Sequence, residues 1–219
     1  MEAGALGLEL RFRDGMPARA ILKARGVVMT DKAGDEVLRL AIADIIVSRP
    51  REKTEAAVDL SAKVESIQYG REPVPGLGRT TAGLDLEASV TGDLPERLDA
   101  EALAQWRDRG GTVEIRRLDI RHGPLAVEGD GTLALDGDMQ PMGAFTFLVR
   151  GFLEALDRLR EAGVIEEHPA RLAKTVLGAL ARNPGGDGGG ELKVPLTIQE
   201  RWLYVGPVGI GRMPVLHWD

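Results

Sequence analysis

The stretch from Gly110 to Asp138, GGTVEIRRLDIRHGPLAVEGDGTLALDGD, constrains the fold of this chain more than any other part. Apolar residues recur at every second position and glycines interrupt the pattern, which predicts strand, turn, strand, turn in an antiparallel sheet. The stretch holds no paired acid and base, no metal cluster and no phosphate loop. The pattern therefore favours a sheet that presents a surface over a catalytic pocket, and the residues alone name no reaction.

The same alternation recurs before this stretch. Between residues 84 and 90, leucine, alanine and valine alternate with acidic and hydroxyl residues, which is typical of a half-buried strand. Aromatic residues make up only 4% of the chain, so Leu, Val, Ile and Ala must supply most of the apolar contacts. Further strands are predicted over residues 6–13, 18–29, 37–47 and 57–69, with turns at Asp14–Gly15 and Lys32–Gly34 and a Pro/Gly-rich loop at 71–81.

Helices are predicted in two places. Asp99 is a good N-cap and opens a short helix over about 99–108, which the glycine pair at 110 and 111 ends. A second helical region covers about 151–183 and contains two adjacent helices. The first of these runs over 151–162 with Gly163 as its C′ residue, and the second follows Pro169.

The predicted fold is mainly β (α+β), a single domain over residues 1–219 built on a large curved antiparallel sheet or half-barrel with these helices. A phase slip at Arg116–Arg117 predicts a β-bulge in one strand. A sheet of this size must cover or curl its apolar face. Two solutions stay open: the helices pack on the sheet and close an ordinary core, or the sheet curls into a groove that accepts an apolar ligand.

Composition excludes several functions. A net charge of −6 and a pI near 5.3 argue against nucleic-acid binding, which needs clustered Lys and Arg. The absence of cysteine excludes disulfides, thiol nucleophiles and thiolate metal sites. No run of eighteen apolar residues is present, so no transmembrane helix is predicted. The chain enters directly into a strand pattern with no visible signal or anchor, so we expect a truncated N-terminus.

Residues with metal-binding or catalytic potential are scattered. His122, His168 and His217 are far apart, whereas a zinc site needs three or four converging ligands, so surface or turn roles are predicted. The aspartates at 130, 136 and 138 lack the spacing of a calcium loop, and the Asp130–Gly131 and Asp136–Gly137 pairs are hairpin-turn signals. We therefore predict no catalytic, cofactor-binding or metal residues and no cofactor, and we leave ligand-binding residues unassigned.

A local basic cluster can be interpreted in two ways. Arg116, Arg117 and Arg121 follow Arg107 and Arg109 closely in the sequence. Such a cluster can contact acidic lipid headgroups or a protein partner. Charge runs are usually solvated faces balanced by neighbouring acids, and this second interpretation is favoured.

The C-terminal half resembles a known family. The segments GGTVEIRRLDIRHGPLAVEGDGTLALDGDMQPMGAFTFLVRG, LREAGVI and GGELKVPLTIQERWLYVGPVGIGRMPVL, within residues 100–216, are similar to the DUF2125 proteins, an uncharacterised alphaproteobacterial family. The GDGTLALD stretch, followed by a proline and another strand, is also distantly similar to AsmA-type envelope proteins. The resemblance implies an envelope protein that is periplasmic or anchored in the inner membrane.

Pattern and resemblance together lead to two functional hypotheses. The first is a non-enzymatic envelope protein that binds lipid or another apolar ligand in a curved β-sheet groove. The alternative is a structural module that scaffolds an envelope complex through its sheet edges, because an exposed edge can pair with a partner's strand.

Overall fold

Within the described residues, eleven strands form one antiparallel sheet in which the spatial order equals the order in the sequence. The computed structural model describes residues 2–50, 56–94, 99–167, 175 and 190–218. The outer strands β1 and β11 do not pair with each other, so the sheet is curved but open, which confirms the predicted mainly β fold. The strands are β1 (Glu2–Arg13), β2 (Met16–Thr30), β3 (Glu36–Ser48), β4 (Ala56–Tyr69), β5 (Thr80–Thr91), β6 (Val113–His122), β7 (Leu125–Leu135), β8 (Pro141–Arg150), β9 (Leu192–Gln199), β10 (Trp202–Val205) and β11 (Val208–Arg212).

The first two hairpins turn where the sequence predicts. Asp14 and Gly15 both have positive φ, 52° and 77°, as a two-residue type I′ hairpin between right-twisted strands requires. In the next turn, Asp31 Oδ1 accepts the backbone N–H groups of Ala33 and Asp35. These local turns explain why β1, β2 and β3 pair in the order of the sequence.

Two helices lie at opposite ends of the central strands. Helix α1 (Ala100–Asp108) joins β5 to β6, and Asp99 caps it by accepting the N–H of Ala102 at 3.0 Å, as predicted. Helix α2 (Phe152–Glu161) follows β8, and Gly163 lies after its end with a φ of +71°. The predicted second member of the 151–183 pair falls outside the described residues, apart from Thr175.

The predicted bulge is present in β6. The pairing register with β7 shifts between Ile115 and Leu118, and a matching shift occurs against β5. The extra residue explains why the apolar phase slips at Arg116–Arg117 without moving the apolar side chains to the other face.

The prediction of a hairpin turn at Asp130–Gly131 is wrong, because both residues lie inside β7. The glycines of this strand make room for aromatic rings and do not mark bends. A Cβ at Gly129 would overlap the ring of Phe147, and a Cβ at Gly131 would overlap that of Phe145. The two rings stack in parallel with centroids 5.9 Å apart. The glycines leave the space in which these rings pack against the sheet.

Large buried apolar side chains gather around the helices and not over the sheet. Four large apolar side chains are buried at these places: Leu103 and Trp106 of α1, Phe152 of α2 and Leu77 of the 70–79 loop. Within the strands, the buried apolar residues are three alanines (24, 43 and 88) and Pro141 at the start of β8. None of the described large side chains is less than 2% exposed. The helices therefore make two small cores at the strand ends, and the middle of the sheet carries no closed core among the described residues.

Candidate apolar binding face

One face of the sheet is continuously apolar. Directly paired residues of neighbouring strands point to the same side, so the register traces rows of side chains across the sheet. The central row runs from β1 to β9 without a polar side chain. It consists of Leu8, Leu22, Ile45, Ala62, Leu86, Leu118, Gly129, Phe147 and Val194.

Two flanking rows extend this surface on either side. One consists of Leu6, Ala24, Ala43, Val64, Leu84, Ile120, Val127, Val149 and Leu192. The other reaches β11 and consists of Leu10, Ala20, Val47, Leu60, Ala88, Ile115, Gly131, Phe145, Leu196, Val205 and Val208. The three rows together are termed the apolar face.

The apolar face is only partly covered. At β1 its leucines are openly exposed, with Leu6 at 61% and Leu8 at 66%, and most of its residues on the inner strands are half-buried. A monomeric protein rarely leaves a large contiguous apolar patch in contact with water, and such patches mark binding sites. The side chains of the three rows are hydrocarbon or absent (glycine), so this surface offers area for apolar contact.

The opposite face is charged and internally balanced. Its central row carries Lys23, Asp44, Lys63, Asp85, Asp119 and Glu128 on successive strands. At the end of β8, Arg150 forms ion pairs with Glu128 at 3.0 Å and with Glu191 at 2.6 Å. Exposed pairs of this kind add little stability each, but they keep this side of the sheet hydrated.

The basic cluster predicted around the bulge lies mainly on this polar face. Arg116 donates to Asp59 at 2.9 Å and to the hydroxyl of Ser89. Asp59 accepts hydrogen bonds from Ser89 and Arg116, and both lower its pKa below its usual range. The bond from Ser89 has the larger effect. Arg117 and Arg121 lie 4.0 and 3.7 Å from the carboxylate of Asp119. Local acids thus balance these arginines, which supports the interpretation as a solvated face.

A cavity of about 280 Å³ lies where α1 meets the sheet. Its floor is formed by Val90, Val113 and Leu133, which pair with one another and continue the apolar face by one further row. Trp106 covers it from α1, and its indole N–H donates to the backbone carbonyl of Thr91 at 2.8 Å. Trp218 from the C-terminal tail completes the wall. Sequence reasoning missed this cavity because its residues come from segments far apart in the chain.

A small cluster of polar side chains lies at the end of the central strands that is opposite the cavity. His122 Nδ1 is 2.9 Å from the hydroxyl of Thr81, and that hydroxyl lies 3.3 Å from the phenol oxygen of Tyr69. His122 Nε2 is buried and has no hydrogen-bond partner among the described residues. His122 ends β6 directly before the turn at Gly123–Pro124, as the sequence predicts, but its ring is half-buried against Tyr69 and not on the open surface.

The other candidate residues are dispersed. His217 is exposed in the C-terminal tail, and His168 lies outside the described residues. Asp136 has the predicted turn role, since its Oδ1 accepts the N–H groups of Asp138 and Gln140. In the described part of the chain, no three His, Asp or Glu side chains are grouped so that they could hold a metal ion.

The described residues thus form an open, curved antiparallel sheet with one charged face and one continuous apolar face. A family model described as "Uncharacterized protein conserved in bacteria (DUF2125)" matches residues 2–214. The chain belongs to the DUF2125 family, and the match includes the N-terminal strands as well as the C-terminal half. No curated protein and no solved structure matches the chain. Within the described residues, no helix has the length and apolar character needed to cross a bilayer.

Proposed function

We propose that the protein is a non-enzymatic envelope protein that binds the hydrocarbon part of a lipid on its apolar face. The observation that supports this most strongly is the set of three unbroken apolar rows, half-exposed over much of their length. The envelope location, either periplasmic or anchored to the inner membrane, is part of the proposal and is what the resemblance of the GDGTLALD stretch to AsmA-type proteins implies.

The energetics favour a long ligand. Each buried methylene contributes about 0.8 kcal/mol, so a chain of about fourteen methylenes gains roughly 11 kcal/mol when fully shielded. Association costs an estimated 4–15 kcal/mol in lost freedom. A hydrocarbon chain must therefore be covered over most of its length to bind tightly, which a surface crossing many strands makes possible.

Native mass spectrometry of protein purified from a bacterial host, combined with organic extraction, tests this function. We expect near-stoichiometric phospholipid or fatty acid on the protein. A clean apo mass, with no uptake of added lipid, would overturn the proposal.

A matched pair of variants tests which face carries the lipid. Ala62 lies in the central row of the apolar face, and Ser61 is exposed on the polar face one residue before it. Because a carboxylate on the apolar face requires a polar neighbour that hydrocarbon cannot supply, Ala62→Glu should remove the bound lipid. Ser61→Glu should retain it. Circular dichroism of both variants shows whether the sheet is intact, and equal lipid content in two folded variants would contradict the assignment.

A second function is favoured by the β1 edge. β1 is a long strand that pairs on one side only within the described part of the chain, and its Leu6, Leu8 and Phe12 are exposed at 61, 66 and 61%. An edge of this kind invites strand addition, so the alternative is a module that scaffolds an envelope complex through β1. A photo-crosslinker placed at Glu9 should then capture one envelope protein in cells, whereas the same group at Lys63 in the sheet interior should not. Identical crosslinking patterns from the two positions would reject this alternative.

A further inference from the structure

Two elements line the cavity beside α1, and both are hydrogen-bonded to the same turn. Arg107 of α1 donates from Nη1 to the carbonyls of Asp136 and Gly137 at 3.0 and 3.2 Å. These carbonyls belong to the turn between β7 and β8, which spans residues 136–140. The position of α1 over the cavity is thus fixed from the C-terminal end of the helix.

The other wall is the C-terminal strap, defined as residues 213–218. The side-chain amide of Gln140, only 6% exposed, donates to the carbonyl of Leu216 at 3.1 Å and accepts its N–H at 2.9 Å. The indole N–H of Trp218 donates to the carbonyl of Met139 at 2.8 Å. These bonds place the Trp218 ring on the cavity, although the strap itself has no regular secondary structure.

The cavity and the apolar face form one continuous apolar surface. Val90, Val113 and Leu133 of the floor lie two residues along their strands from Ala88, Ile115 and Gly131 of the apolar face. The lining side chains include no polar residue other than the two indoles, whose N–H groups already have backbone partners. An apolar cavity of about 150 Å³ stays dry and can bind benzene, so a cavity of about 280 Å³ has room for several carbons.

The two ends of the central strands differ in polarity. The α1 end offers the apolar cavity, whereas the α2 end carries the Tyr69–Thr81–His122 group with a buried ring nitrogen that lacks a partner among the described residues. A molecule with an apolar end and a polar end matches this asymmetry in one orientation only.

We propose that the cavity receives the methyl end of a straight acyl chain lying on the apolar face, and that Trp218 on the C-terminal strap closes over it. This inference rests on the proposed lipid-binding function and adds to it the site where the chain ends, its orientation and the element that retains it.

Indole fluorescence can locate the chain end directly. The chain has three tryptophans, and Trp202→Phe leaves the two that line the cavity. The probes are two octadecanoic acids, one brominated near the methyl end and one near the carboxyl end, because bromine quenches indole fluorescence at short range. At equal occupancy, the methyl-end probe should quench more strongly. Equal quenching, or stronger quenching by the carboxyl-end probe, would overturn the inference.

A cavity-filling variant supplies an independent test. Val90→Phe places a ring in the cavity, and Val164→Phe makes the same change at an exposed position after α2, outside both the cavity and the apolar face. Each methylene expelled from an apolar site weakens binding about fourfold. Val90→Phe should therefore weaken octadecanoic acid binding by about 15-fold, the equivalent of two methylenes, and Val164→Phe by less than about twofold. Equal effects of the two variants would contradict the assignment.

The strap is tested by the rate of release. Trp218→Ala uncovers the cavity and should accelerate dissociation of octadecanoic acid several-fold. His217→Ala, an exposed change in the same strap, should leave the rate unchanged. Equal rates in wild type and Trp218→Ala would refute the role of the strap. If wild type binds acyl chains but the methyl-end probe does not quench preferentially, the inference fails and the proposed function stands. If wild type binds no lipid, both fail.

Discussion

Substitution of Gly111 by alanine gives the sharpest test of how α1 is seated. Gly111 lies between α1 and β6, where a Cβ would fall within 3.0 Å of several indole atoms of Trp106. Trp106 is only 6% exposed and is fixed by its hydrogen bond to Thr91. The Gly111→Ala variant must therefore displace the indole or move the start of β6.

The expected cost follows from these contacts. Forcing extra atoms into a well-packed site costs about 1–3 kcal/mol. The upper limit is the roughly 3–5 kcal/mol that removal of a buried tryptophan side chain costs. We therefore expect Gly111→Ala to lower the free energy of unfolding by about 1–3 kcal/mol.

A double-mutant cycle separates this clash from other effects of the new methyl group. In a Trp106→Ala background the Cβ has no indole to meet, so Gly111→Ala should then cost almost nothing. The four proteins are compared by urea unfolding followed by far-ultraviolet circular dichroism, because tryptophan fluorescence changes with the mutation itself. The expected coupling free energy between the two positions is about 1–3 kcal/mol. If Gly111→Ala destabilises both backgrounds equally, the packing argument for α1 is refuted.

Three further predictions concern other parts of the sheet. Hydrogen bonds from a serine and an arginine lower the pKa of Asp59 below 3.8. The stability that these bonds confer is therefore present above that pH and is lost as the pH falls through the pKa of the folded state. Asp59→Asn should flatten this loss of stability on the acid side, as measured by thermal unfolding between pH 2 and 5. Thr81→Val removes the partner of His122 Nδ1 and should cost about 1–3 kcal/mol in urea unfolding, whereas Thr81→Ser should be close to wild type; equal losses would reject the hydrogen bond. Gly151→Ala combines a φ of +73° with a Cβ that collides with a backbone carbonyl, and should cost more than about 1 kcal/mol, while Gly137→Ala in open space should change the midpoint temperature little.

Local chemistry determined much of the secondary structure. The alternation of apolar residues identifies strands because side chains of a strand point to opposite faces. Asp14–Gly15 and Asp99 act through hydrogen bonds and dihedral angles within a few residues, so the sequence predicted the first hairpin and the start of α1 correctly. The bulge at Arg116–Arg117 was also visible as a slip in the alternation.

Glycines within strands show where local reasoning fails. Asp130–Gly131 has the composition of a turn, yet it lies inside β7 because Phe145 and Phe147 on the neighbouring strand need the space. The same limit applies to His122, whose Thr81 partner is 41 residues away in the sequence. No pattern in either segment alone signals the other.

Strands with one apolar side can be predicted from the residues alone, because the period of two is set by backbone geometry. The folded sheet aligns these sides from β1 to β11 into a single apolar face, and this alignment depends on the pairing register between strands. In the tertiary structure, the C-terminal strap also meets Gln140, 76 residues earlier, and brings Trp218 to the cavity beside α1. The physical reason is that register and docking are fixed by contacts between distant residues, which gain their free energy only when the whole sheet has formed.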